Sequence, residues 1–149
     1  MGGLVTKKSD DFLSNREWLG NAVEGKDLIL RKVSALEYMQ LFVGYFSEQN
    51  IEVYSLRKGD YENIDYCIVD SFDGIEYVKD KGIMCCSVSQ AVNDILDDFE
   101  NADETALVES LSKYYYAHNE SFEGICIRPE NVRKFESLKD WAINYYTII

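Results

Sequence analysis

The chain has 149 residues, 46% of them hydrophobic and 13% aromatic, enough to bury a sizeable core without disulfides or metals. Its formal charge is −12, from 27 acidic against 15 basic residues. That excess repels phosphate backbones and makes nucleic acid an unlikely partner; it suits solubility or the docking of a basic protein.

The imbalance is local. Residues 48–110 hold 16 acids and only four bases, Arg57, Lys58, Lys79 and Lys81, while the flanking segments are neutral. One proline and no Ser/Gly-rich tract leave no internal linker. The expected organisation is an N-terminal arm over 1–25 and a single α+β domain over 26–149. The opening MGGLVTKKSDDF lacks a signal-peptide apolar region, and no run reaches the ~18 apolar residues of a membrane span. A cytoplasmic location without membrane contact is expected. Cys67, Cys85, Cys86 and Cys126 lie in or beside strand-like runs and read as reduced, mostly buried thiols. With no C-x2-C pair and His118 as the sole histidine, neither a metal nor a cofactor is expected.

In chain order, Phe12, Leu13, Trp18 and Leu19 anchor the first 25 residues, which read as an arm or short helix lying on the domain. DLILRKV (27–33) predicts a strand, and Ser34 with Glu37 has the capping-box spacing for a helix over 35–47. IEVYSL (51–56) and IDYCIV (64–69) predict two strands around the turn formers of RKGDYEN. Residues 75–78 and 83–86 predict a hairpin around KDKG. Ser87 and Gln90 repeat the capping-box spacing. They open a helix whose Val88, Ala91, Val92, Ile95, Leu96 and Phe99 recur on one face. Asp103 begins the next helix, with Leu107, Leu111, Tyr114 and His118 in line. FEGICIR (122–128) predicts a last strand, and Pro129 opens a C-terminal helix buried through Phe135, Leu138, Trp141, Ala142 and Tyr145. The sum is a small mixed, largely antiparallel sheet packed with about four helices.

The stretch CSVSQAVNDILDDFE (86–100) carries four carboxylates beside its apolar face. Asp94, Asp97 and Asp98 are expected on the solvent side, and the last two lie near the helix C-terminus, where the macrodipole disfavours anions. A partner-facing surface fits this placement, with Tyr114, Tyr116 and His118 as further candidate contacts from the tyrosine-rich KYYYAH run. The enzymatic alternative is metal-dependent nuclease chemistry at Asp70, Glu76 and Lys79. Glu76 and Lys79 are three apart, so a straight strand points them to opposite faces and the constellation requires a bulge. No Walker, Rossmann or nucleophile-elbow pattern occurs.

Three pieces in order carry a family resemblance: SALE (34–37) followed by the strand IEVYS, the junction MCCSVSQAVNDIL, and the helix DETALVESLSKYY. Over about residues 27–146 the chain resembles the C-terminal domain of AbiEi-type antitoxins of bacterial abortive-infection systems. The resemblance implies a regulatory, non-enzymatic protein of a toxin–antitoxin pair, whose family partner is a nucleotidyltransferase-like toxin. That family places a winged-helix DNA-binding module before this domain; only about 25 residues precede it here, so operator binding is not expected.

Overall fold

Leu28–Leu30 forms a three-residue strand, β1, at the centre of a five-stranded sheet. The other strands are β2 (Ile51–Ser55), β3 (Ile64–Ile68), β4 (Tyr77–Asp80) and β5 (Ile83–Cys86), in the order β3-β2-β1-β5-β4. This is a computed structural model, and it describes residues 3, 15–43 and 50–148. Phe12, Leu13 and positions 44–47 of the expected second helix lie outside the described residues.

Both sheet faces are covered. Strand alternation sets Leu30, Val53 and Cys85 on one face and Ile29, Tyr54 and Met84 on the other, and all six are buried. On the first face lie α1 (Asn15–Val23) and α2 (Lys32–Tyr38), where the Ala35 carbonyl accepts from Cys85 Sγ at 3.7 Å. Trp18, Leu19, Ala22 and Val23 make one buried face of α1, so the segment expected as an arm contributes part of the common core. The remaining helices are α3 (Val88–Asp97), α4 (Glu104–Ala117) and α5 (Val132–Ile148), with α4 packed along α5. The architecture is α+β with a mixed sheet, as expected.

Pairing is evenly divided, not largely antiparallel. β1–β2 and β4–β5 are antiparallel, while β1–β5 and β2–β3 are parallel. The β4–β5 hairpin turns through Lys81 and Gly82, both at positive φ, the twist that a two-residue hairpin turn requires. β2 and β3 are joined by residues 56–63 yet run parallel, because that connection crosses back over the sheet instead of turning tightly. Gly59 in that connection packs against Tyr66: a Cβ there would lie 2.3 Å from Tyr66 Oη and displace the ring.

Three local expectations change. The helix expected at 35–47 begins at Lys32 with Arg31 as N-cap, and gives way after Tyr38 to Gln40 at φ 65°. Ser34 does not cap it; its Oγ is buried and accepts from the Glu52 N–H at 2.9 Å. The sheet claimed that hydroxyl because Arg31 is already pinned to β2, its N–H donating to the Glu52 carbonyl. The FEGICIR segment is not a strand. Its backbone is held by side chains of α3, described below, and so has no need of a ladder partner. On α5, Phe135, Leu138 and Ala142 are buried as expected, but Trp141 is 38% exposed.

The cap at Ser87 holds: its Oγ accepts from the Gln90 N–H at 3.1 Å. The reciprocal half of the box is missing, because Ser87 N–H donates to the Glu76 carbonyl and Gln90 Oε1 accepts from the Glu76 N–H at 3.0 Å. The cap is thereby tied to the chain entering β4. Asp103 caps α4, accepting from the Ala106 N–H at 3.0 Å.

Candidate functional site

Helix α3 is covered on more than its apolar face. Asp94, expected in solvent, is only 6% exposed. Its Oδ2 accepts from the Tyr54 hydroxyl at 2.6 Å, and its Oδ1 accepts from Gln90 Nε2 at 3.1 Å and faces Arg128 Nη2 at 3.4 Å. The Arg31 guanidinium lies over the Tyr54 ring, 4.5 Å from its centroid. Burial, reinforced by the hydrogen bond and charge of Asp94, pushes the Tyr54 phenol up to about 12. The tyrosine therefore serves as a donor, and this carboxylate joins sheet to helix.

Its neighbours on α3 are also engaged. Asp97 pairs with Arg128 Nη1 at 2.9 Å and accepts from Asn131 Nδ2 at 2.9 Å. Asp98 pairs with Lys32 Nζ at 3.2 Å and accepts from Asn101 Nδ2 at 2.8 Å. Those bonds to Asn101 and Lys32 lower the Asp98 pKa below the ordinary carboxylate value. Countercharges and amides from outside α3 thus offset the unfavourable C-terminal dipole position.

Between these acids and the core runs a ladder made of side chains. Asn93 Nδ2 donates to the Cys126 carbonyl at 2.8 Å, and its Oδ1 accepts from the Arg128 N–H at 2.9 Å. Ser89 Oγ accepts from the Cys126 N–H at 2.9 Å. A buried asparagine and a buried serine, four apart on one helix face, replace at residues 126–128 the neighbouring strand that the expected strand 122–128 would have needed.

Among the other expected contacts, Tyr114 is buried, with its hydroxyl donating to the Glu123 carbonyl at 2.6 Å. His118 caps α4, stacks on the Tyr114 ring at 3.8 Å and places Nδ1 2.8 Å from the Tyr114 carbonyl. Tyr116 is exposed on α4, and its hydroxyl donates to the Ile143 carbonyl of α5. Asp94 and Tyr114 hold the fold together and are not surface contacts. The thiols divide: Cys85 and Cys86 are buried, Cys67 is half-buried and Cys126 is exposed. Burial pushes the Cys85 thiol up to about 12.

Asp70 follows β3 at one sheet edge, whereas Glu76 precedes β4 and Lys79 lies within β4 at the opposite edge. Among the described residues no group of three or more His, Cys, Asp or Glu side chains is arranged to hold a metal ion. No described helix is long and apolar enough to cross a membrane. No family model, curated protein or solved structure matches the chain.

The strongest surface feature lies elsewhere. Between residues 60 and 80 the seven acids Asp60, Glu62, Asp65, Asp70, Asp73, Glu76 and Asp80 are all exposed, and Lys79 is the single base. Interspersed are the exposed apolar side chains of Tyr61, Ile68 (56%), Tyr77 and Val78 (65%). The segment borders the sheet from β3 round to β4, with Val69, Phe72 and Ile75 tucked inward against the core. Sequence reasoning placed the acidic surface on α3 because the helical period was strong there. The counter-signal was Arg128, the base immediately before Pro129, which reaches both Asp94 and Asp97.

Proposed function

We propose that this chain is a regulatory interaction domain, antitoxin-like and cytoplasmic, that holds a basic protein partner through the acidic border of residues 60–80. The observation that carries the reading is the contrast between two groups of acids. Those of α3 are consumed by Arg128, Lys32, Tyr54 and amides within the fold. Those of the border, from Asp65 to Asp80, form no ion pair among the described residues and stand beside large exposed apolar groups. Unneutralised charge steers association, and apolar anchors supply burial once contact is made. The family resemblance implies a nucleotidyltransferase-like toxin as the partner, and the acidic border calls for a basic face on it.

The test is a titration against a toxin of that kind encoded beside this chain, comparing the wild type with an Asp70→Asn, Asp73→Asn, Glu76→Gln variant. The expected result is slower association and a shallower salt dependence for the variant, with an unchanged melting temperature. Identical association rates and salt slopes for the two proteins would refute the border as the docking surface. Failure of the chain to relieve that toxin's growth arrest on co-expression would refute the antitoxin role.

A further inference from the structure

Strand β4 closes one edge of the sheet, and its outer side is unpaired. The register with β5 fixes where each backbone group points. Ser87 N–H donates to the Glu76 carbonyl, so the next bonded pairs are Val78 with Cys85 and Asp80 with Ile83. The two-residue turn at Lys81-Gly82 closes that series. Bonded and non-bonded pairs alternate, so Tyr77 and Lys79 turn their N–H and C=O groups away from β5. No hydrogen bond to those groups exists among the described residues. The opposite edge differs, because the approach to β3 is occupied by Gly3, bonded to Asp60 and Glu62.

The side chains along this edge are patterned as well. Val78 and Asp80 share one sheet face, and Glu76, bonded to Ser87 in the same register, extends the row. The result is an exposed acid–apolar–acid row. It complements a strand with base, apolar residue and base at alternate positions, since opposite charges and apolar groups attract directly across a ladder. A second copy of this chain fits poorly: pairing β4 with itself about Val78 sets Glu76 opposite Asp80 at both ends. Lys79 lies on the other face, and its charge and the shortness of β4 guard the edge against indiscriminate pairing.

We propose that β4 receives a basic, extended segment of the protein partner as a sixth strand of the sheet. The proposal rests on the acidic border as the docking surface and specifies how the partner is held there. Asp70, Asp73, Glu76 and Asp80 attract the segment, and the outward groups of Tyr77 and Lys79 bond its main chain. Main-chain bonds retain the segment; the acid–apolar–acid row selects it.

The probe is a capped nine-residue peptide with arginine, valine and arginine at alternate central positions and threonine elsewhere. Amide exchange of the full chain, followed by NMR with saturating peptide, should slow at Tyr77 and Lys79. Val78 and Asp80, already bonded to β5, should not change. Lys79→Pro removes one outward N–H and no bond to β5, so it should keep the melting temperature of the wild type. It should lose roughly tenfold in peptide affinity, about one ladder hydrogen bond. Lys79→Gln keeps the N–H and should bind at least as tightly as the wild type. Charge attraction alone predicts the opposite for proline, because Lys79→Pro has one base fewer. Binding by Lys79→Pro as tight as the wild type therefore overturns strand addition and leaves the acidic border standing. Unchanged exchange at Tyr77 and Lys79, or no binding at millimolar peptide, overturns it too. So does a dimer of the free chain that Lys79→Pro dissociates, because the edge then belongs to a second copy. A failure of the border shows separately. Equal peptide binding by the wild type and the Asp70→Asn, Asp73→Asn, Glu76→Gln variant would refute it, and with it the charge selection proposed here.

Discussion

The Tyr54 hydroxyl donates to Asp94 Oδ2 across 2.6 Å, fastening the middle of β2 to the middle of α3. Removing the carboxylate strands a buried phenol and the inward end of Arg128 together. Asp94→Ala is expected to cost about 2–3 kcal/mol in urea denaturation, less than the roughly 3–5 kcal/mol of a fully buried pair because Arg128 is 41% exposed. Tyr54→Phe leaves Asp94 with Gln90 and Arg128 and should cost about 1–2 kcal/mol.

The same contact gives an alkaline signature. A tyrosine whose folded pKa is about 12, against an ordinary 10.0, keeps its proton folded and loses it unfolded between those values. The unfolded state then binds fewer protons, so the Tyr54 contribution to stability is full below pH 10 and is lost up to about pH 12. Cys85, raised from 9.0 to about 12 by burial, adds a decline that starts near pH 9. Melting curves of Tyr54→Phe should show a shallower fall than the wild type above pH 10; parallel curves would rule out this role for Tyr54.

Asn93 anchors residues 124–128 through both ends of its amide. Asn93→Ala should cost about 2–3 kcal/mol, since two backbone groups lose their partners at once. Hydrogen exchange provides the specific readout. The Arg128 amide should exchange much faster in the variant, while amides within the β4–β5 hairpin keep their protection.

Gly124 sits at φ 99°, and a Cβ there would lie 2.5 Å from Tyr114 Oη. Gly124→Ala combines backbone strain with displacement of the Tyr114–Glu123 hydrogen bond and should destabilise by about 2–3 kcal/mol. Gly74, also at positive φ but with open space around its Cβ position, isolates the backbone contribution: Gly74→Ala should cost about 1 kcal/mol. Equal losses at the two sites would show that the Tyr114 contact adds nothing.

Duplex DNA should bind no tighter than micromolar at physiological salt, because the acidic border repels phosphates and the three bases of α5 stand among two acids. A gel shift at sub-micromolar protein would contradict this.

Features under local chemical control are legible in residue order alone. Ser87 and Asp103 begin helices because a side-chain oxygen three residues before a free N–H can reach it whatever surrounds it. The hairpin at Lys81-Gly82 and the apolar stripe of α3 are local in the same sense. Tertiary structure decided the use of each polar group that had two possible partners. Ser34 had cap spacing, but the helix begins at Lys32, so Ser34 lies inside it and its hydroxyl goes to Glu52. Asp94 had a solvent-side position on a helical wheel, but the wheel cannot know that Tyr54 and Arg128 approach from elements 40 and 34 residues away. FEGICIR had strand composition but received its hydrogen bonds from Asn93 and Ser89, which satisfy a backbone as well as a strand does. Parallel pairing of β2 with β3 likewise lies outside periodicity, which reads Gly59 as turn and Tyr66 as strand although the two are in close approach. Short-range reach is written in residue order; competition among distant partners is settled only when the chain has closed on itself.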